Sequence, residues 1–196
     1  MSMQTIRTST EEILAPSPFT KDMGVIRERW VEKGTGSEST WVKYTLPDTT
    51  QVLGLTEEGK VITIREFQPG VGVDYLHVVG ETVKEFEQPR QAAVRGLREE
   101  TGYQAGNLFL LSAILENSSR SDRLIHLYLA TDCRKVDEPE NGITVELMTP
   151  ADFWIALMNY FATCPAEKHG GGNTLKVTVL AFAKMGMLEM TKRVWK

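Results

Sequence analysis

GETVKEFEQPRQAAVRGLREETGY, residues 80–103, decides the fold. Ala93 and Leu97 stand four apart with Val94 beside them, Pro89 suits a first helical position, and Gly102 fits the residue just past a helix end. The spacing predicts a short amphipathic helix over 89–101. Residues three and four apart share a helical face, so Glu99 and Glu100 stand beside the surface carried by residue 96, and Glu87 lies near the N-terminal end. Converging carboxylates suit a hard divalent cation, magnesium or manganese, shared with substrate phosphates. On spacing alone, the same acids also fit a solvated helix face.

Working outward, Trp41–Leu46, Gln51–Leu55, Val61–Phe67 and Tyr75–Val79 are short runs rich in aromatic and β-branched residues, separated by turn signals. Leu108–Leu115, Leu124–Thr131 and Ile143–Leu147 return to strand texture, with a charged loop over Arg134–Gly142. Thr149-Pro150 starts a helix to about Phe161, and Asn173-Thr174 starts another through Met190. The first 40 residues are polar and read as an arm with one strand and a turn at Gly34–Ser37. Strands, a helix, more strands and two helices make an α/β (α+β) domain without regular βαβ alternation.

The chain has 196 residues, 22 Lys plus Arg against 26 Asp plus Glu, and a net charge of −4. That length fits one domain with a small appended element, and the acidic balance argues against a nucleic-acid partner. The longest apolar run, Phe153–Met158, is far short of the roughly 20 residues a membrane helix needs. Arg7, Glu11 and Glu12 interrupt any leader-like stretch, so a cytoplasmic protein with no membrane partner is expected. Cys133 and Cys164 have no metal-site spacing, nor do His77, His126 and His169. The glycine stretch Gly170–Gly172 before Asn173 reads as a connector rather than an anion site.

The 80–103 stretch resembles the Nudix box, G-x5-E-x7-R-E-U-x-E-E-x-G-U with U aliphatic or aromatic. Glu87, Arg95, Leu97, Glu99, Glu100, Gly102 and Tyr103 stand at its spacing. VITIREFQP (61–69), NSSRSDRLIHLYLA (117–130) and GGNTLKVTVLAFAKM (171–185) are similar to the branch that hydrolyses ADP-ribose and nucleoside-diphosphate sugars. The resemblance covers about Trp41 to Met187. It implies a mixed β-sheet sandwiched by helices over 41–196, with residues 1–40 adding an antiparallel strand extension to a dimerising sheet. It further implies a homodimer that hydrolyses a nucleoside diphosphate linked to a sugar or similar moiety with Mg2+ or Mn2+, the metal neutralising a diphosphate that otherwise repels an attacking hydroxide.

Residue by residue, the resemblance makes Glu99 and Glu100 metal ligands, with Glu100 also essential to catalysis, and Gly80, Glu87, Arg95 and Gly102 structural parts of the box. The general base in this branch comes from a loop before the final strand, here KVDEPENGITV, which offers Glu138 and Glu140. Arg65 and Gln68 fall where the branch contacts substrate, and Trp30 and Trp41 where aromatic residues of the N-terminal part stack on the base, although tryptophans at such positions also fill a core or an interface.

Three positions depart from the pattern. Gly96 stands where the family carries a principal metal-binding glutamate, and glycine there weakens the helix by roughly 1 kcal/mol against alanine. Glu81 stands at the box's first glycine, with Gly80 one place early; either the loop is shifted or Glu81 offers a substitute carboxylate. Gln68 replaces an arginine and loses a charge-assisted fork to phosphate. The hydrolase reading therefore stands beside a second one, a Nudix-fold nucleotide-binding or regulatory module with impaired catalysis.

Overall fold

The computed structural model describes residues 5–14, 23–69, 72–164 and 172–187. Among them run β1 (Thr5–Leu14), β2 (Gly24–Glu32), β3 (Glu38–Thr45), β4 (Thr49–Thr56), β5 (Val61–Gln68), β6 (Val73–His77), β7 (Val79–Thr82), α1 (Pro89–Thr101), β8 (Tyr103–Gln104), β9 (Asn107–Leu115), β10 (Leu124–Lys135), β11 (Thr144–Met148), α2 (Pro150–Thr163) and α3 (Gly172–Lys184). They divide into two compact units, residues 1–48 with 114–125, and residues 49–113 with 126–196.

In the first unit, β1, β2 and β3 pair antiparallel in that order, with Arg7 opposite Trp30 and Val25 opposite Tyr44. The expected arm with one strand is corrected to two full strands and the start of a third. Residues 7–12 of β1 are polar and exposed, with only the half-exposed Ile6 and Ile13 flanking them, so the strand carries no period-two hydrophobic signal. Cross-strand charge supports it instead: Arg27 pairs with Glu11 at 2.9 Å, and the buried Glu28 accepts from Arg7 at 2.6 Å and from Trp30 Nε1 at 3.1 Å, with Lys43 Nζ 3.7 Å away.

The second unit is built on a larger sheet in the order β11-β5-β4-β10-β8, with β6 added to β5, β7 to β4 and β9 to β10. Alternation along the strands assigns its two faces. Val52 and Ile62 join Val79, Ala93, Leu97, Leu108, Tyr128, Ala130 and Cys133 in a core against α1. Leu53 and Leu55 are also buried, and α3 packs on β4 as well, which explains why the run 52–55 of that strand is buried on both faces. The Trp154 and Phe182 rings, 5.9 Å apart, join α2 to α3. Burial pushes the Cys133 thiol up to about 11, so it stays protonated and inert at neutral pH.

α1 matches the expected helix end for end. Pro89 sits in its first turn, the Gln91 side chain accepts from Gln88 N at 2.9 Å, and Gly102 closes it in the left-handed conformation at φ 74°. Thr149 caps α2 by accepting from Asp152 N at 3.1 Å.

Three boundaries differ from expectation. The run ending at Val79 breaks at Val78 into β6 and β7, so Gly80 and Glu81 lie in a strand opposite Gln51 and Thr50. β10 continues through Arg134 and Lys135, expected in a loop, because those residues pair with Gln104 and Tyr103. α3 ends at Lys184 rather than Met190, since Gly186 takes φ 69° and donates to Ala183 O. Residues beyond 187, with His169, Gly170 and Gly171, lie outside the described residues. Among the described residues, no helix is long and apolar enough to cross a membrane.

Candidate functional site

The site is organised by Arg95, whose guanidinium leans from α1 toward β7. Its Nε and Nη2 form a fork on Glu87, both at 3.0 Å. Nη1 donates to Glu81 at 2.5 Å and to Glu99 at 3.2 Å, and Nη2 also reaches Thr82 O at 3.0 Å. A guanidinium has five N–H donors, and every one is used here. One partner comes from β7, one from the loop before α1, one from the next helical turn, and one from backbone. The role implied for Arg95, orienting the box acids, therefore has a geometric basis beyond a surface i, i+4 pair.

These contacts set the charge states. The fork from Arg95, helped by Lys84 N at 3.0 Å, holds the Glu87 carboxyl down at about 2 against the opposing effect of burial. Arg95 is itself driven above its ordinary value, first by Glu87 and then by Glu81 and Glu99. Glu100 behaves in the opposite way. Burial pushes it up to about 8, and the Glu81, Glu66 and Glu140 carboxylates add repulsion that one 3.4 Å bond from Gly80 N does not offset. Glu100 is not among the partners of Arg95.

The acidic loop is docked rather than loose. Val136 N and Asp137 N both donate to Gly102 O at 2.9 and 3.0 Å, Glu140 N donates to Glu99 O at 2.9 Å, and Arg98 pairs with Asp137 at 3.1 Å. This fixes Glu140 beside the end of α1. The Glu138 side chain is 88% exposed, with Lys135 Nζ 3.6 Å away. A groove of about 820 Å3 between α1 and this loop is lined by Glu87, Arg95, Arg98, Glu99, Glu138 and Glu140 among others, within the range of small-molecule sites.

Gly102 serves both structures. A Cβ there would lie 2.0 Å from Asp137 O, on a residue already at φ 74°. Gly102→Ala is expected to cost about 1–2 kcal/mol from the left-handed backbone alone, with a further loss as the loop is pushed off. Thermal melting should fall by about 2–8 °C, and limited proteolysis should begin within 136–140; an unchanged cleavage pattern would contradict this docking.

Other expected site residues are distributed more widely. Glu66 and Gln68 continue the alternation of Ile62 and Ile64 and so share the α1 side of β5, where Gln68 Nε2 donates to Glu66 at 2.6 Å. Arg65 has the opposite parity and pairs with Glu146 of β11 at 2.8 Å. Trp41 belongs to the first unit, 44% exposed, with the Arg120 guanidinium 5.8 Å from its ring centre. Glu66 was missed by sequence reasoning. The strand alternation carried a signal for it, because the parity that buries Ile62 and Ile64 also turns residue 66 toward the helix.

A divalent cation can be tested against these residues. Among the described residues, no three acids already converge as a ligand set, because Arg95 draws Glu81, Glu87 and Glu99 to itself. The donors nevertheless fit: all are oxygens, and the Glu81, Glu66 and Glu140 carboxylates press on Glu100 with a repulsion that a cation would relieve.

Comparison with known proteins agrees with this geometry. The NUDIX domain model matches residues 45–167. The ADP-ribose pyrophosphatase of Bacillus subtilis (strain 168) is 30% identical over 105 residues, 54% of this chain and 56% of that protein. The methanol dehydrogenase activator of Bacillus methanolicus is 27% identical over 107 residues, 52% of this chain and 58% of that protein. The chain thus spans a little over half the length of the curated relatives it matches. A crystal structure of an ADP compounds hydrolase is similar in fold, with a TM-score of 0.73 at 17% identity, covering 95% of this chain and 99% of that one. The matched span contains the helix, its Arg95 network and the docked acidic loop, and the chain belongs to the Nudix family.

Proposed function

We propose that this chain hydrolyses the diphosphate of a nucleoside diphosphate linked to a sugar or related moiety, with Mg2+ or Mn2+. The observation that carries the reading is Glu100, a partly buried acid pressed by the Glu81, Glu66 and Glu140 carboxylates and outside the network in which Arg95 holds Glu81, Glu87 and Glu99. Glu100, Glu81 and Glu99 are the residues to hold the metal, which when bound supplies charge neutralisation and Lewis acidity toward the diphosphate oxygens.

The chain's own groups do the remainder. Glu87, Arg95, Gly80 and Gly102 keep α1, β7 and the acidic loop in fixed relation. Glu140 takes the proton of the attacking water as its oxygen bonds to phosphorus and the bridging P–O bond breaks, releasing two monophosphates. Both acids line the groove, and Glu140 is preferred to Glu138 because its own backbone is bonded to Glu99 O, whereas the Glu138 carboxylate is solvent-exposed beside Lys135. Gln68, which shares the α1 side of β5 with Glu66, is the proposed substrate contact. The half-exposed Ile6, Ile13, Trp41 and Val42 of the first sheet fit a homodimer interface, which light scattering tests.

The similarity to the ADP-ribose pyrophosphatase of Bacillus subtilis supports this substrate class. Incubation with a panel of nucleotide sugars and Mg2+ should release monophosphate. No release from any of them, under conditions where a box-complete relative turns over, overturns the proposal. Glu140→Gln should lower kcat by about 10²–10⁴-fold and Glu138→Gln by about threefold or less; equal losses would contradict the assignment of the base.

Gly96 favours a second reading, a nucleotide-binding module with impaired catalysis. It would show calorimetric binding of ADP-ribose that a chelator leaves unchanged, with no product formed.

A further inference from the structure

Positions 81 and 96 exchange residues relative to the Nudix box. The box writes glycine at the first and glutamate at the second; here they are Glu81 and Gly96. The structure places these two positions against each other. Gly96 is buried on the face of α1 that packs on β7, and a Cβ built on it would lie 2.7 Å from Glu81 Cβ, 3.1 Å from Glu81 Cγ and 3.4 Å from Val79 Cγ1. The first distance is closer than real Cβ atoms approach, so a side chain at one position requires its absence at the other unless strand and helix move apart.

Glu81 uses the space. Paired opposite Thr50 on β7, it extends past Gly96, and its Oε2 accepts from Arg95 Nη1 at 2.5 Å, the same nitrogen that donates to Glu99. Its other oxygen accepts from Thr82 N at 2.7 Å. The carboxylate is thus held from both sides, at the place on α1 where the box helix would project its own.

We propose that Glu81 is a metal ligand delivered from strand β7 in place of the glutamate missing at position 96. Gly96 is then the vacancy that lets it in, not a sign of a disabled site. The inference rests on the reading that this centre binds a divalent cation. It makes positions 81 and 96 a reciprocal pair in which glutamate and glycine can be exchanged only together.

Five full-length proteins test this: the unaltered chain, Glu81→Gln, Glu81→Gly, Gly96→Glu, and the double exchange Glu81→Gly with Gly96→Glu. The readouts are Mn2+ affinity by calorimetry and the thermal midpoint in chelator. Glu81→Gln, which preserves size and a hydrogen bond to Arg95, should weaken Mn2+ binding at least tenfold with little change in midpoint, and Glu81→Gly should weaken it as much. Gly96→Glu alone should lower the midpoint through the clash. The double exchange should recover the midpoint and bring Mn2+ affinity back to within a few fold of the unaltered chain. Retention of full Mn2+ affinity in Glu81→Gln, or a double exchange no better than the worse single variant, overturns the proposal alone. No Mn2+ binding by the unaltered chain overturns the metal reading and this proposal with it.

Discussion

Glu100→Gln should abolish hydrolysis while making the cation-free protein more stable in alkali. The two effects have one cause. Burial and the Glu81, Glu66 and Glu140 carboxylates raise Glu100 from 4.5 to about 8, so the folded state holds its proton more tightly than the unfolded state between those values. Stability of the cation-free protein therefore falls as pH rises through about 4.5 to 8. Glutamine cannot ionise and escapes that loss. In chelator, the variant should melt with the unaltered chain at pH 5 and above it at pH 8.5. With Mg2+ the order should reverse, because only the carboxylate gains from the cation. The kcat should drop at least a hundred- to a thousandfold, the loss typical of removing one electrostatic stabiliser of a transition state. A variant less stable than the unaltered chain at pH 8.5 in chelator would show that Glu100 is a structural acid.

Arg95→Ala carries the largest expected cost in stability. It leaves Glu81, Glu87 and Glu99 facing one another, each partly buried and none with its cation. Breaking a buried ion pair from one side costs about 3 kcal/mol or more; for groups this accessible the lower end applies, about 6–12 °C in melting temperature. The acid limb should change as well. Glu87 is held at about 2 by Arg95, so it contributes stability that is present above pH 4.5 and lost as pH falls toward 2. Without Arg95 that contribution is gone, and the difference between the two proteins should shrink as pH drops below 4.5. Arg95→Lys should recover only part of the loss, because an ammonium cannot form the fork on Glu87 while reaching Glu81 and Glu99. Equal melting of Arg95→Ala and the unaltered chain at pH 7 would contradict the network.

How much of this was legible in the sequence depended on whether the cause was local. Pro89 and Gly102 mark helix ends through their own backbone restrictions, and α1 begins and ends where they say. Thr149-Pro150 does the same for α2. β7 was hidden because Gly80 reads as a breaker, and only pairing with Gln51 and Thr50 makes it a strand. β1 was hidden because charged partners on β2, not a buried face, hold it. At the site, the carboxylates of α1 were visible from spacing. Glu81 lies 14 residues from Arg95, and no periodicity links a strand residue to a helix residue across a loop. The separation of Glu140 from Glu138 likewise required the backbone bond to Glu99 O.

Mn2+ titration followed by electron paramagnetic resonance, at pH 6.5 and 8.5, addresses the carboxylate centre itself. A chain that holds a catalytic cation despite Gly96 should bind Mn2+ more tightly at the higher pH, as the proton leaves Glu100, and Glu100→Gln should weaken that binding and remove its pH dependence. Free Mn2+ signal undiminished by millimolar protein at both pH values, or binding that survives Glu100→Gln unchanged, would contradict a metal-dependent hydrolase.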